Sequence, residues 1–472
     1  MIDINNLTIT KAHEDLKNGK YTVTELVEAY LNNIKEKNSK LNAYLEVFDD
    51  VLEEAKKAEA KFKDGSATIL TGIPMAIKDN ILIKGKVASA SSKILGNYKA
   101  SYDATVISLL KKEGVIFLGR TNMDEFAMGS STENSAYGPT LNPLDETRVP
   151  GGSSGGSASA LASHMALSAL GTETCGSVRE PAAFCGLVGL KPTYGAFSRD
   201  GIIAMGNSLD QVSPFGYTVK DVEIIFKVLA KYDKFDNTSV KDEDRKNELQ
   251  NRNLKKIGVP FHLFEEGLDP LINDNFKQSL EKFKNLGYEI VDIKLPYSKY
   301  SLAAYYIIMP AEVSTNLSRF DGIRYGERKE GENLWDVYKK TKSAGFGPET
   351  RRRIILGTYV LSHGYYDAYY NKAWKIRNAM ASEMKQAFQD VDFIMTPTVP
   401  VLPFKLGEKS GDPVSMYLCD IFSAPANLVG LPAIALPSGK TDAGLPFSIQ
   451  ITAPHFCEEN LFRIAQEFEN LN

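Results

Sequence analysis

Residues 150–157 read PGGSSGGS and residues 171–181 read GTETCGSVREP, and these two glycine- and serine-rich stretches decide how the rest of the chain is interpreted. Glycines beside a hydroxyl residue allow backbone conformations that are closed to other residues, and they let a substrate approach the main chain. Consecutive backbone N–H groups in such turns form a site for an anion. Acyl transfer requires this combination of a hydroxyl nucleophile and nearby N–H donors. The serines of both stretches are therefore candidate nucleophiles.

A serine nucleophile also needs a base, and the best candidate is Lys78. It lies in residues 72–80, GIPMAIKDN, directly after a short apolar strand. A lysine at the buried end of a strand loses solvation, which lowers its pKa and favours the neutral, basic amine. None of the five histidines lies in a distinctive local pattern. A Lys-Asp pair by itself is more typical of a surface turn, so the two serine stretches are what favour a catalytic lysine.

The alternation of short apolar runs with helical patterns, from about residue 66 onward, predicts an α/β fold. We expect a large, mostly parallel mixed sheet flanked by helices, in one large domain with a helical insertion at about residues 300–390. Four regions follow along the chain: an N-terminal helical segment packed on the core (1–65), the core with the catalytic loops (66–232), a charged linker (233–254) and the remainder of the core with the insertion (255–472).

Capping signals mark the start of two helices. Thr24 is predicted to cap the helix of sequence ELVEAYLNNIKEKN. Thr218 and Asp221 have the spacing of a capping box, which predicts that the helix DVEIIFKVLAKY begins there.

The composition excludes several classes of protein. The chain has 472 residues and a formal net charge of −4, which does not indicate a protein that coats nucleic acid. There is no apolar run of roughly 18 residues that predicts a membrane span, and the N-terminus lacks an apolar signal region. The four cysteines form no C-x-x-C pair and no metal-ligand spacing. We therefore predict a cytoplasmic protein with free thiols and no metal site.

The segments around Lys78, Ser153 and Ser177 resemble the amidase signature family, motif by motif. The resemblance implies the amidase signature fold and a Ser–cis-Ser–Lys triad. In such a triad, Ser177 is the nucleophile, Ser153 relays the proton from a non-proline cis peptide, and Lys78 is the base. It also implies an oxyanion hole made by the backbone N–H groups of Thr174, Cys175, Gly176 and Ser177.

The chain departs from the family pattern in the nucleophile loop, which usually reads G-[TS]-D-T-G-G-S-I-R-Q-P. This chain has Glu173, Cys175, Val178 and Glu180 at the differing positions. Cys175 places a side chain where close approach to the backbone is expected, so we expect altered oxyanion geometry. Glu173 is expected to disturb the hydrogen bonds that hold the loop, and both changes predict lower activity.

Three later segments resemble the A subunits of aspartyl/glutamyl-tRNA amidotransferases: residues 301–326, 346–370 and 416–437. That resemblance implies glutamine as the amide donor, with Arg353 for its α-carboxylate and Asp420 for its α-ammonium group. Either Tyr305 or Tyr306 is expected to supply a hydroxyl. Without the resemblance, an arginine in the run 351–353 is more typical of a solvated face, and Asp420 of a surface acid.

The same resemblance implies a heterotrimer. A tRNA-binding kinase/transamidase subunit would use ATP and Mg²⁺ and hold most of the tRNA, and a small third subunit would complete the complex. No cofactor is expected in this chain, which has no phosphate loop of the G-x-x-x-x-G-K-[ST] kind. The residues do not distinguish Glu-tRNA(Gln) from Asp-tRNA(Asn) as the substrate of the complex.

The sequence leaves three alternative functions open. The first is a stand-alone amidase that acts on small or fatty amides. The second is an α/β-hydrolase, because residues 151–155 satisfy G-x-S-x-G, although that motif requires a strand directly before it and a catalytic histidine downstream. The third is a catalytically impaired scaffold subunit, which Glu173 and Cys175 favour.

Overall fold

A single sheet runs through the protein in the computed structural model, which describes residues 2–250, 252–264 and 267–471. Its eleven strands are β1 (Tyr44–Val47), β2 (Pro74–Lys78), β3 (Ile116–Thr121), β4 (Ser168–Glu173), β5 (Val188–Lys191), β6 (Gln211–Gly216), β7 (Lys256–Val259), β8 (Glu289–Asp292), β9 (Phe393–Pro397), β10 (Ala433–Lys440) and β11 (Pro446–Thr452). Their spatial order is β1-β3-β2-β4-β6-β5-β10-β11-β9-β7-β8.

The sheet is mixed, as predicted, but most of its pairings are antiparallel. Among the strands of the described residues, parallel pairs occur only in the groups β3-β2-β4 and β9-β7-β8. The six other pairs among the described strands are antiparallel. The prediction of a mostly parallel sheet is therefore wrong. The centre of the sheet contains β10 and β11, which a short hairpin connects, and only antiparallel strands are joined in that way.

Helices flank the sheet, and the first 65 residues supply the edge strand β1 as well as three of them. The helices of the described chain are α1 (Ile9–Lys17), α2 (Val23–Leu41), α3 (Val51–Lys63), α4 (Thr105–Glu113), α5 (Gly155–Ala162), α6 (Arg179–Cys185), α7 (Val219–Leu229), α8 (Pro270–Asn285), α9 (Ser301–Asn316), α10 (Leu334–Gly345), α11 (Pro348–Val360), α12 (Asn371–Asp390), α13 (Pro413–Tyr417), α14 (Ala424–Val429) and α15 (Glu458–Glu469). Within the described ranges, no helix has the length and apolar character needed to cross a bilayer.

Capping boxes start two of the helices. The Thr218 hydroxyl accepts a hydrogen bond from the Asp221 backbone N–H at 3.1 Å, so the predicted box at α7 is confirmed. The predicted cap of α2 is wrong, because Thr22 and not Thr24 precedes the helix. Thr22 accepts from Glu25 N at 3.1 Å, and the Glu25 carboxylate accepts from Thr22 N at 2.7 Å. This pair has the three-residue spacing that the box requires.

One apolar cluster holds the helices of the insertion against the end of the sheet where β3 and β4 stop. It joins Phe126 and Cys175, which follow β3 and β4, to Tyr305 of α9 and to Phe346, which precedes α11. Burying large apolar side chains in one contiguous cluster stabilises the contact between the two parts of the chain. The insertion therefore packs directly over the loops that carry the candidate site.

Candidate active site

Lys78 is the last residue of β2 and is fully buried between β3 and β4. Its Nζ donates three hydrogen bonds: to Ser153 Oγ at 2.8 Å, to Ser154 Oγ at 2.7 Å and to the Thr172 carbonyl at 3.1 Å. The predicted contact between Lys78 and Ser153 is thus present. Ser154 is a second partner that the sequence analysis missed, because nothing in PGGSSGGS distinguishes the neighbouring serines.

Burial lowers the pKa of the Lys78 amine to about 7. The carboxylates of Asp124, Asp210 and Glu173 act in the opposite direction, but they do not offset the loss of solvation. Because the pKa lies near neutrality, a large fraction of the amine is neutral at physiological pH. A general base works best when its pKa is close to the working pH, so this environment suits Lys78 to that role.

The serine loop contains a cis peptide bond between Gly152 and Ser153, at the residue for which the resemblance implies one. Asp124 holds this loop: its backbone N–H donates to the Ser153 carbonyl at 3.2 Å, and its carboxylate accepts from the backbone N–H groups of Thr132 and Asn134. A Cβ on Gly152 would overlap Asp124 Oδ2, so only glycine fits there. Sequence reasoning missed Asp124, which is fully buried.

The second loop brings Ser177 beside the first. The Ser154 backbone N–H donates to the Ser177 carbonyl at 3.1 Å, and Ser177 is only 7% exposed. Gly176 has φ +115°, a conformation that favours glycine. Within the described part of the chain, the backbone N–H groups of Cys175, Gly176 and Ser177 have no hydrogen-bond acceptor. A hydroxyl next to three unpaired donors is an arrangement that stabilises a developing oxyanion.

Glu173 does not disturb this loop but closes it. Its carboxylate accepts from the backbone N–H groups of Val178 and Arg179, each at 3.1 Å, and from Arg179 Nε at 2.9 Å. Both side chains of the pair are fully buried. Burial alone would raise the pKa of Glu173, but the charge and hydrogen bonds of Arg179 lower it below its usual value. The Glu173 carboxylate thus satisfies the backbone donors where the turn enters α6.

Cys175 is accommodated without a special backbone conformation. It has no positive φ, and its side chain packs in the apolar cluster with Tyr305. Its carbonyl accepts a hydrogen bond from Ser423 Oγ at 2.8 Å. The requirement for glycine falls on the next residue, since a Cβ on Gly176 would lie 2.5 Å from Ser423 Oγ and 3.1 Å from Asp420 Oδ1. Close packing against Ser423 and Asp420 thus requires glycine at position 176 and not at position 175.

Arg353 and Asp420 lie on either side of Tyr306. The Arg353 guanidinium lies over the Tyr306 ring, 5.2 Å from its centroid, and the Tyr306 hydroxyl donates to Asp420 Oδ2 at 3.1 Å. Arg353 is 3% exposed and pairs with Glu349 at 2.7 Å, while Tyr417 covers the guanidinium with a second ring at 5.2 Å. The guanidinium of Arg353 and the carboxylate of Asp420 thus contact the same tyrosine, Tyr306.

The two candidate tyrosines contact different parts of the site. The Tyr305 hydroxyl hydrogen bonds to Thr174 Oγ1 at 2.8 Å, beside the unpaired N–H groups, whereas Tyr306 contacts Asp420 and Arg353. Burial raises the pKa of Asp420 to about 7, against the hydrogen bond from Tyr306 and the charge of Arg353. Within the described residues, the Asp420 carboxylate accepts hydrogen bonds from hydroxyl groups but forms no ion pair.

Glu180 is a further buried acid next to the nucleophile loop. Its backbone N–H donates to the Gly176 carbonyl at 2.7 Å, and its side chain is 1% exposed. In the described chain, neither carboxylate oxygen has a hydrogen-bond partner. Burial, and then the negative charges of Asp420 and Asp124, raise the pKa of Glu180 well above its usual value.

The requirements of an α/β-hydrolase are not met. No strand lies between β3 and the helix α5 in the described chain, so Ser153 does not follow a strand. Nδ1 of His164, the histidine on the neighbouring segment, lies 2.9 Å from the Tyr217 hydroxyl. The G-x-S-x-G match of residues 151–155 therefore does not mark a nucleophile elbow.

Comparison with known proteins gives matches over nearly the whole chain. A family profile for amidases matches residues 25–462. A relative from Clostridium acetobutylicum, named as the second A subunit of glutamyl-tRNA(Gln) amidotransferase, is 47% identical over 475 residues, which cover 99% of this chain and 99% of the relative. The A subunit of the same enzyme from Thermoanaerobacter pseudethanolicus is also 47% identical, over 100% of this chain and 97% of its own.

Solved structures show the same fold. The crystal structure of the A subunit of glutamyl-tRNA(Gln) amidotransferase from Thermotoga maritima is similar with a TM-score of 0.81 and 39% identity, covering 99% of this chain and 95% of that one. A peptide amidase from Stenotrophomonas maltophilia also has a TM-score of 0.81, at 26% identity, with 99% and 97% covered. The amidotransferase relatives are, by their names, components of multi-subunit enzymes.

Proposed function

Because the chain belongs to the amidase family, we propose that it is the glutamine-hydrolysing A subunit of a glutamyl-tRNA(Gln) amidotransferase. The observation that carries this proposal is the fully buried Lys78, whose amine hydrogen bonds to Ser153. Relatives named as that subunit match the chain from end to end, which supports the same assignment.

The proposed reaction uses the groups at the ends of β2 and β4. Neutral Lys78 accepts a proton from Ser153, Ser153 accepts one from Ser177, and the Ser177 oxygen attacks the side-chain amide carbon of glutamine. The N–H groups of residues 174–177 stabilise the oxyanion that forms. The carbon–nitrogen bond breaks, the nitrogen takes the proton, and ammonia leaves. Water then hydrolyses the ester on Ser177 and releases glutamate.

Recognition of glutamine falls to the insertion and the segment after α13. The Arg353 guanidinium binds the α-carboxylate and Asp420 binds the α-ammonium group, so that each charge of the substrate meets an opposite charge in a buried site. Tyr306 supports both groups through its ring and hydroxyl. Tyr305 acts at the other end, beside the oxyanion donors. The α-ammonium group of glutamine would give Asp420 the ion pair that it does not form with the described residues.

The released ammonia would serve a partner subunit. In this proposal a kinase/transamidase subunit binds the tRNA, activates Glu-tRNA(Gln) with ATP and Mg²⁺, and accepts the ammonia to form Gln-tRNA(Gln). A small third subunit completes a heterotrimer, and the complex works in the cytoplasm. Asp-tRNA(Asn) is a second candidate substrate, and the partner that holds the tRNA would select between the two.

The proposal that the chain hydrolyses glutamine is tested by measuring the release of ammonia from glutamine. Wild type, Ser177→Ala and the control Ser318→Ala, which alters an exposed serine, are compared in the full chain. We expect Ser177→Ala to lower the rate at least about 1,000-fold, because it removes the nucleophile, and Ser318→Ala to leave it unchanged. Equal rates for wild type and Ser177→Ala would favour a scaffold without catalysis.

The proposal that the chain is a subunit of a larger complex is tested by co-purification, followed by a tRNA amidation assay. We expect the chain to recover a larger tRNA-binding protein and a small one, and the complex to convert Glu-tRNA(Gln) to Gln-tRNA(Gln) only when glutamine and ATP are present. Rapid hydrolysis of simple amides by the isolated chain, with no turnover of glutamine, would instead favour a stand-alone amidase.

A further inference from the structure

The turn that follows β3 contacts both halves of the candidate site with successive side chains. Phe126 and Ala127 have φ +50° and +61°, in the left-handed region, so the chain reverses sharply within residues 124–127. The Asp124 carboxylate lies against Gly152 of the serine loop and accepts hydrogen bonds from the backbone N–H groups of Thr132 and Asn134. The next side chain, Glu125, leaves the turn toward the insertion, and it is 2% exposed.

Glu125 binds the start of α11, the helix that carries Arg353. Its Oε2 accepts from the Gly347 backbone N–H at 2.7 Å and from Thr350 Oγ1 at 2.6 Å. Its Oε1 accepts from Ser92 Oγ at 2.5 Å. The first N–H groups of a helix have no partner within the helix, and a carboxylate there is stabilised by hydrogen bonds and by the helix dipole.

Each carboxylate of this turn lies so close to a glycine that a larger residue would collide with it. A Cβ on Gly152 would overlap Asp124 Oδ2, and a Cβ on Gly347 would lie 2.8 Å from Glu125 Oε2. Gly347 has φ −71°, so its backbone does not require glycine, and the close approach of Glu125 is the reason for it. Phe126 adds an apolar contact beside the same point, 5.7 Å from the Phe346 ring.

We propose that Glu125 is a positioning residue for substrate recognition, which sets where Arg353 lies relative to the serine loop held by Asp124. The inference rests on the proposed function and adds to it. Arg353 lies six residues after Gly347, about 9 Å along the helix axis at 1.5 Å per residue. A shift or tilt of the helix start therefore moves the guanidinium, while the hydrogen bonds from the Lys78 amine to Ser153, Ser154 and Thr172 do not involve Glu125.

The test compares glutamine with 4-aminobutyramide, which has the same amide and amine but no α-carboxylate. In the full chain, or in the complex if it co-purifies, Glu125→Gln removes the charge and one of the two acceptor oxygens. We expect KM for glutamine to rise about tenfold, as for a lost hydrogen bond to a charged group. For 4-aminobutyramide, kcat/KM should change less than about twofold. The pH dependence of kcat should not move, because the surroundings of Lys78 are untouched.

A second variant approaches the same contact from the other side. Gly347→Ala places a Cβ against Glu125 Oε2 and should give the same selective loss for glutamine. Thr358→Ala, on the exposed side of α11, is the matched control and should change neither substrate. Agreement between Glu125→Gln and Gly347→Ala separates positioning from a failure of one variant to fold.

Two results would overturn the proposal: an equal loss for both amides, which indicates general damage to the fold, or unchanged kinetics for glutamine in both variants. A wild type that hydrolyses 4-aminobutyramide but not glutamine would overturn the proposed function itself, and the positioning role would fall with it. The wild-type measurement thus distinguishes the two failures.

Discussion

The amine of Lys78 has three hydrogen-bond acceptors, and none of them carries a charge. Two are the hydroxyls of Ser153 and Ser154, and the third is the Thr172 carbonyl. A buried ammonium group without a carboxylate in contact loses solvation and gains little in return, which explains why its pKa falls. The lowered pKa of this amine follows from its burial and its contacts, and the proposed catalysis depends on it.

The activity should therefore rise with pH through about 7. Both Lys78 and Asp420 have pKa values of about 7, and both must be deprotonated, Lys78 as the base and Asp420 as the ammonium ligand. We expect log kcat/KM for glutamine to rise with a slope greater than one below that pH. Asp420→Asn should reduce the slope toward one, with a higher KM. A flat profile between about pH 6 and 8 would contradict the assignment of Lys78 as the base.

The buried carboxyl of Glu180 should make the stability of the fold depend on pH. Its pKa is raised by burial and by nearby acids, so the folded state keeps a proton that the unfolded state has released above the normal carboxyl pKa. The unfolded state then binds fewer protons, and stability falls as pH rises from about 4.5 toward the raised pKa. We expect Glu180→Gln to raise the melting temperature more at pH 8 than at pH 5, as followed by calorimetry. An equal gain at both values would show that Glu180 is ionised in the folded protein.

At the scale of elements, the loop between β4 and α6 depends on one buried ion pair. Glu173 binds the backbone at the start of α6 and the Arg179 side chain, which reaches on to the Ser423 carbonyl and to the Gln450 side chain. The pair thus connects the nucleophile loop with the segment after Asp420 and with β11. Removing one partner would leave the other charge buried without compensation.

Glu173→Gln should therefore lower the free energy of unfolding by about 3–5 kcal/mol, the range for a buried pair that loses one partner. Urea denaturation followed by fluorescence measures the change. The matched control is Glu53→Gln on α3, where the ion pair with Lys57 is exposed, and no measurable change is expected. A loss as small as that of the control would mean that Arg179 is satisfied by its neutral acceptors alone.

Sequence patterns found the elements that are long or strongly apolar, and they missed the short central strands. The helical insertion and the strand β2 were predicted from helical patterns and a short apolar run. The strands β5 and β6 were not, because β5 has only four residues and β6 contains Pro214, which usually argues against a central strand. Their burial comes from neighbours far along the chain, which local patterns do not describe.

The difference between local patterns and long-range contacts also explains which site residues were predicted. The motifs predicted that Lys78 and Ser153 meet, and they lie 2.8 Å apart. Asp124 was missed because its contacts form only when separate loops fold together. Glu349 had a local signal that went unused, since it lies four residues before Arg353 on one helix face. The roles of the individual site residues and the division into regions remain predictions.

For the whole molecule, the central strands tie the two halves of the chain together across the charged connection. Residues 241–244 of that connection are exposed, while β5 in the first half pairs with β10 in the second, and an apolar cluster spans both. A cut in the connection therefore breaks the chain without separating the parts of the sheet.

Limited trypsin digestion should cleave first near Lys241 or Lys246, which are exposed. We expect two fragments on a denaturing gel, a single peak on size exclusion, and at least about half of the glutaminase activity, because the buried contacts between the halves remain. A Lys241→Gln/Lys246→Gln variant should be cut there more slowly, because Arg245, the remaining tryptic site between them, is only 15% exposed. Fragments that elute separately would show that the paired strands do not hold the halves together.

The pairing of β5 with β10 also affects how the protein is made. Val188–Lys191 must wait for Ala433–Lys440, which is synthesised long after it. During synthesis the nascent sheet exists as two incomplete pieces, each with an open edge of unpaired peptide groups. Such edges readily join those of other molecules, so high-level expression should benefit from slow translation or abundant chaperones.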